Sequence, residues 1–433
     1  MPASESTAER EFVARIAATP EDDAPRLAYA DWLARRGDPR GEFIRLQCSY
    51  ARATLAQADV WQRAEELRRQ HEAAWVGELC ELLGAAGQAN YQPYTFRRGF
   101  VDELHVPADV FAASADRLLA LAPLLRAVSI NPPLRGGKLD AALGRALAAR
   151  PELAALRKIN LFHRQLDDET FTGLLRSPHL TGPLALDLGA NKLGPASVAA
   201  LLAAPFTAEY EAIDLWKNDI GDEGAALIAA SPPPRLRHLR LSHNRIGPRG
   251  ALALAGSPRL GALEALDLAH DPIGDDGACA LVGSAALPAL RSLQLYEVGL
   301  SAAGVSRLAA EPLLARIEVL NLGGNALGDR GLATLAASPH TRGLVHLDLE
   351  GSEIGDAGAQ ALAQAHDLER LATLELRYNR IGDAGALALA ASTRLPRVQE
   401  LDLAYNDIDR QDELLARFPD ANLVGQGLRE EVR

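Results

Sequence analysis

Residues 29–47, YADWLARRGDPRGEFIRLQ, gather Asp31, Trp32, Asp38, Arg40, Glu42 and Arg45 around one Gly-Asp-Pro turn. Carboxylates and guanidinium groups this close together can serve general acid–base chemistry, or can pin the corner between two helices. Catalysis also needs a nucleophile and a base within hydrogen-bond reach, and this region offers only His71, far off on a polar helical stretch. The corner is the preferred reading: Trp32 and Phe43 pack, and Asp31 pairs with Arg26 or Arg40. A charged surface that recruits a partner is the alternative.

Two further groups invite a chemical reading. Asp187, Asp214, Asp267, Asp348 and Asp402 recur in Leu-Asp-Leu triplets (Ile-Asp-Leu at Asp214) and suggest a metal ladder. A calcium or magnesium site also needs converging carbonyls and a turn, so a solvated sheet face is the better account. His243 and His270 are 27 residues apart in equivalent triplet contexts, which sets two imidazoles about 5 Å apart on adjacent strands. Zinc needs further ligands and no third one is evident, so these are read as surface histidines. The chain has no GxSxG elbow, P-loop, HExxH or CxxC pair. No catalytic residue, metal or cofactor is expected.

What positions these residues follows from length and pattern. A chain of 433 residues is too long for one ordinary core, so several domains or a repeat array are expected. The net charge of −12 sits almost wholly in residues 151–433, which hold 26 Lys+Arg against 37 Asp+Glu. That balance argues against nucleic acid as a partner. No apolar run reaches membrane-spanning length, and the start MPASESTAEREF has no basic and apolar leader. Cys48, Cys80 and Cys279 are odd in number and irregularly spaced, as reduced thiols would be, so a cytoplasmic protein is expected. Arg outnumbers Lys by 41 to 4, which with the many Ala and Gly suggests a GC-rich, bacterial genome.

Self-comparison gives the architecture. LRHLRLSHN (236–244), LEALDLAHD (263–271), LRSLQLYEV (290–298), IEVLNLGGN (317–325), LVHLDLEGS (344–352), LATLELRYN (371–379) and VQELDLAYN (398–406) end at steps of 27 residues. YEAIDLWKN (210–218), PLALDLGAN (183–191) and LRKINLFHR (156–164) extend the series backwards. Each Leu-x-Leu core predicts a short parallel strand with one buried face. Asn191, Asn218, Asn244, Asn325, Asn379 and Asn406 then fall where an amide can bond turn backbone in a ladder. Arg164, Asp271, Val298 and Ser352 interrupt it. The recurring IGDxGA predicts a turn at Gly and an Asp that caps the following helix, while Ser-Pro stops several helices. LSAAG (300–304) lacks that Asp, and its repeat should be looser.

Strands stack about 4.8 Å apart and helices about 8–10 Å, so such an array bends with its strands inside. The pattern resembles the leucine-rich repeat family, in particular its ribonuclease-inhibitor-like subclass. That resemblance implies an α/β solenoid, an open horseshoe with parallel strands on the concave face and helices on the convex face. Ahead of it lies a small all-α domain. The expected division is 1–95 helical domain, 96–155 degenerate repeats including FVDELHV (100–106) and LLRAVSI (124–130), 156–410 repeats, and 411–433 C-terminal cap and tail.

In the first domain, helices are predicted over 6–18, after Asp22 or Asp23 with Leu27, Trp32 and Leu33 on one face, from about Glu42, and over about 54–85. PEDDAPRLAYADWLARRGDPRGEFIRLQ (20–47), with FRRGFVDEL (96–104), resembles the small bacterial repeat-companion domain found before repeat arrays. That family implies no established activity.

The two positions after the final Leu of each unit lie at the exit of the concave strand. They hold Phe162, Trp216, Tyr296, Tyr378 and Tyr405, five of the nine aromatics after residue 150. With His163, Lys217, His243, His270, Glu297 and Arg377 they have the composition of a binding hot spot. The expected function is a non-enzymatic scaffold that binds a protein partner on the concave face. The alternative is a regulator of an enzyme, such as a small-GTPase activator, since the LDL..N.IGD.GA pattern also resembles Ran GTPase-activating proteins.

Overall fold

Pro20 and the turn at Gly37–Pro39 divide the first fifty residues into helices α1 (Ala3–Ala18), α2 (Ala24–Ala34) and α3 (Arg40–Tyr50), followed by α4 (Ala58–Leu82). The computed structural model describes residues 3–50, 58–84, 92–134, 137–182 and 184–426. Residues 54–57 and 85 of the expected fourth helix, Pro183 and the tail from 427 lie outside them. The chain divides into two compact units, Met1–Leu188 and Gly189–Arg433.

In the first unit the Asp22 carboxylate accepts from the Ala24 N–H at 2.9 Å and so starts α2. The buried face of α2 carries Arg26, Tyr29, Ala30 and Leu33, and the expected Leu27 and Trp32 pack half-buried against the same cluster. Trp32 is half-buried, with its ring 5.8 Å from Tyr29 and Arg36 lying 3.7 Å over it. Phe43 is fully buried between Trp75 and Phe96. The opening corner is ion-paired, but Asp31 pairs with Arg45 and not with Arg26 or Arg40. The reason is orientation: Arg26 faces inward and donates to the Pro20 and Asp22 carbonyls, and Arg40 lies over the Phe100 ring.

The unit's sheet runs β1 (Tyr94–Arg97), β2 (Phe100–Pro107), β3 (Ala127–Asn131), β4 (Lys158–Asn160) and β5 (Ala185–Asp187), in that spatial order. The strands expected at 100–106 and 124–130 are β2 and β3. The sequence did not mark β1, which folds back antiparallel on β2 through a left-handed turn at Arg98 and Gly99.

The second unit holds eight three-residue strands: Ala212–Asp214 (β6), His238–Arg240 (β7), Ala265–Asp267 (β8), Ser292–Gln294 (β9), Val319–Asn321 (β10), His346–Asp348 (β11), Thr373–Glu375 (β12) and Glu400–Asp402 (β13). All pair in parallel in chain order, and the register His238↔Ala265↔Ser292↔Val319↔His346↔Thr373↔Glu400 reproduces the 27-residue step. The central residue of each strand, Ile213 or a leucine, is buried. A helix follows each strand, and helices of successive repeats lie side by side. Beyond the helix Asp412–Arg417, Asn422 makes a single parallel bridge to Asp402.

The asparagine ladder forms as the spacing predicts. Asn325 donates to the carbonyls of Leu295 in the preceding repeat and Leu322 in its own, at 2.8 and 2.9 Å. Its oxygen accepts from the Val298 and Leu300 N–H groups. Asn379 and Asn406 repeat the donations with Leu349, Leu376 and Leu403. Such bonds satisfy turn backbone that the tight strand–helix connection buries.

The aspartates of IGDxGA act differently from the expectation. Asp222 and Asp356 do not cap their own helices; each caps the helix of the next repeat, as does Asp329 of LGDRGL, while Asp275 holds Ser301 and Asp383 accepts from the Asp409 and Arg410 N–H groups. Asp222 accepts from Gly247 and Gly250 N–H at 2.7 and 2.8 Å, Asp329 from Gly355 and Gly358, and Asp356 from Gly382 and Gly385. The second glycine of each pair is needed for this approach: a Cβ on Gly385 would stand 2.8 Å from the Asp356 carboxylate. LSAAG is not bare, because Ser301 caps its own helix at Gly304 and is itself held by Asp275. The helix C-termini are served from the other side: Ser257, Ser284, Ser338 and Ser392 donate to Ala229, Ala255, Ala309 and Ala363 in the repeat before. Ser-Pro thus does more than stop a helix.

Candidate protein-interaction surface

The strand face of the second unit is open, since alternate strand residues point away from the leucine core. Along its exit edge the backbone repeats one unusual conformation. The residue before each ladder position is left-handed in every repeat of this unit: Ala190, Lys217, His243, His270, Glu297, Gly324, Gly351, Tyr378 and Tyr405, with φ between 50 and 66°. Glycine takes this conformation freely, while other residues lose about 1–2 kcal/mol in it. Only two of these nine positions are glycine. Gly324 and Gly351 were the available sequence signal for it.

The side chains there form a run. The Trp216 and His243 rings meet edge to face at 6.1 Å, His243 and His270 stack at 3.9 Å, and Tyr296 lies 5.1 Å from His270. Lys217 and Arg240 approach the Trp216 ring at 5.7 and 5.5 Å. His270 Nδ1 is 2.9 Å from Glu297 Oε2. Burial above all, then His270 and Lys217, holds the His243 imidazole below its ordinary pKa. Tyr296 lies across the next repeat, where a Cβ on Gly323 would come within 2.8 Å of its ring. Trp216, His270 and Tyr296 are half-buried, and Lys217, His243 and Glu297 are exposed.

Gly323, Gly324 and Gly351 interrupt the run. Beyond them Tyr378 and Tyr405 stack in parallel at 4.4 Å, and Arg377 is held by Glu350 at 2.6 Å. Tyr378 is 44% exposed, high for a tyrosine. Phe162 and His163 belong to the first unit, where both are exposed and His163 is also left-handed.

Arg240, which the sequence did not single out, bridges Asp214 and Asp267 at 3.3 and 3.2 Å on the same face. The Leu-Asp-Leu aspartates serve the backbone, since Asp214, Asp267, Asp348 and Asp402 each accept from the N–H two residues on, at 2.9–3.0 Å. That bond turns the chain out of the strand. Among the described residues no group of three or more His, Cys, Asp or Glu is placed to hold a metal ion. The Ser242 hydroxyl donates to Asp267. No helix among the described residues is long and apolar enough to cross a membrane.

The Leucine Rich repeat family model matches residues 211–229, 234–255, 317–336, 343–363 and 371–390. No curated protein matches the chain. Among solved structures, an internalin (inlF) from Listeria monocytogenes is similar at 16% identity, covering 81% of this chain and 95% of that one, with a TM-score of 0.45. The TLR13–ssRNA13 complex is similar at 19% identity over 76% of this chain and 44% of that one, so this chain spans less than half of TLR13, at a TM-score of 0.45. The complex of Rad7 and Elc1 in yeast is similar at 15% identity over 86% and 99%, with a TM-score of 0.40. The chain is built of leucine-rich repeats, with parallel strands and a helix in each repeat, preceded by a helical region.

Proposed function

We propose that this protein is a non-enzymatic interaction scaffold that binds a protein partner on the strand face, through Trp216, Lys217, His243, His270, Tyr296 and Glu297, with Arg377, Tyr378 and Tyr405 as a second contact. Leucine-rich repeats generally mediate protein–protein interaction. The observation that carries the site is the run of rings from Trp216 through His243 and His270 to Tyr296, with both histidines on left-handed backbone where glycine would be free of strain. Phe162 and His163 are the matching residues of the first unit.

The partner presents basic and apolar groups. Asp214, Asp267, Asp348, Glu375 and Asp402 line the face against a single Arg240 in their column, and the rings supply flat apolar contact. The first helices serve as a repeat-companion domain, a second docking module, and the chain works in the cytoplasm of a bacterium with a ribonuclease-inhibitor-like repeat subclass.

The test is comparative affinity capture with the full chain. Trp216→Ala with Tyr296→Ala should lose a partner that the parent retains, with little change in melting temperature. Arg249→Ala, at a highly exposed site on the helix of residues 248–255, should retain it. Capture that survives the double change but fails with Arg249→Ala would move the site to the helices. Acceleration of GTP hydrolysis by a small GTPase would favour the enzyme-regulator reading instead.

A further inference from the structure

One rung of the ladder is an acid. Asp271 stands where Asn244, Asn325, Asn379 and Asn406 stand in their repeats, and it is fully buried. Its Oδ1 does the work of the amide oxygen, accepting from the Asn244 and Ile246 N–H groups at 2.7 and 3.0 Å. Its Oδ2 takes the place of the amide nitrogen and has no hydrogen-bond partner. In Asn325 that position donates to two leucine carbonyls, one in its own repeat and one in the repeat before. The leucines in register with these for Asp271 are Leu268, whose carbonyl accepts the Asp271 N–H at 3.2 Å, and Leu241, whose carbonyl accepts from Asn244 Nδ2 at 2.7 Å, so what each lacks is a donation from the Asp271 side chain. An ionised carboxylate has nothing to donate to such carbonyls, whereas a carboxylic acid has one O–H.

The surroundings do not offset a negative charge here. Burial above all, reinforced by Asp267, pushes the Asp271 carboxyl up to about 7, against the pull of the backbone N–H groups of Ile246, Asn244 and Arg245. In the turn on one side Arg245 is drawn to Asp219 at 2.8 Å, and Lys217 lies over the Trp216 ring. On the other side Val298 is apolar, and Glu297 is engaged by His270. Asp275 is occupied with Ser301. Among the described residues no cation pairs with Asp271.

We propose that Asp271 is a protonation-controlled joint in the repeat stack. As a neutral acid it can supply one of the two donations an asparagine makes between the repeats that carry His243 and His270. On ionising it breaks that rung and loosens the turn beneath those two rings. The joint does not depend on what the strip binds.

Carboxyl-carbon NMR of the full chain, labelled at aspartate and assigned with Asp271→Asn, tests this directly. The Asp271 signal should titrate near 7, and titration in the ordinary aspartate range near 4 would overturn the proposal. Asn is the column's own residue, so the variant should fold. Its folding equilibrium should gain on the parent by about tenfold per pH unit from about 4 to about 7 and then hold steady. Parallel pH dependences of parent and variant would also sink the idea.

Discussion

The carboxylate of Asp356 accepts a 2.8 Å hydrogen bond from the backbone N–H of Gly385, one repeat further along the chain. The cap therefore belongs to a pair of repeats. Asp356→Ala should cost about 1 kcal/mol, the usual value of a helix cap. Its signature is positional: hydrogen exchange should quicken at Gly382 and Gly385, while the helix Asp356–Ala363, capped by Asp329, keeps its protection.

Gly385→Ala tests the same contact from the other side. Helix propensity alone favours alanine by about 1 kcal/mol. The new Cβ would meet the Asp356 carboxylate at 2.8 Å and both Ala359 and Ile381 at 2.9 Å. We expect a net loss of about 1–3 kcal/mol by thermal or denaturant unfolding, as for other overpacked sites. Combining it with Asp356→Ala should cost less than the sum, because the two changes share one contact.

Lys217→Gly should stabilise the protein by about 1 kcal/mol, because Lys217 is exposed and its backbone sits at a φ of 55°. Lys217→Ala should give no such gain. A melting-temperature comparison of the two separates backbone strain from loss of the lysine charge.

In the first unit, Phe43→Ala should cost about 3–5 kcal/mol, since the ring is fully buried between Trp75 and Phe96. Trp32→Ala should cost less than Phe43→Ala, since half-buried Trp32 keeps one side in solvent under Arg36. The ranking is read from unfolding curves of the two variants.

NMR of the histidine rings should find His243 titrating below 6.5, and His270→Ala should move it back up by removing one of the charges that hold it down. The sign for stability follows. Below 6.5 the unfolded chain takes up the proton before folded His243 does, so this contribution is present above 6.5 and declines as pH falls through it. Asp271 works in the opposite sense.

Period and residue type carried the repeats, the ladder and the strand register, because a 27-residue step with alternating leucines leaves one solution for a parallel sheet. β1 was not legible: YTFR has no repeat to match, and its strand exists through the turn at Arg98–Gly99. The cap partners were hidden for a different reason. Helix-capping rules are local, and they assign Asp356 to its own helix; only the side-by-side packing of repeats brings it to Gly385. Likewise the column carrying His243 and Tyr378 was legible as a row of side chains. The left-handed backbone beneath it shows in the sequence only through Gly324 and Gly351.

The two sets of caps also have an order in time. A chain made from its N-terminus presents the aspartate of one repeat before the helix it serves exists, so each new helix begins against a waiting acceptor. For the helix Asp356–Ala363 the acceptor is Asp329, and the serine that closes it, Ser392, arrives only with the repeat after it. During synthesis such a helix is finished at its start before it is finished at its end. The growing edge is thus a template that rewards the next repeat for docking in step and penalises one that skips.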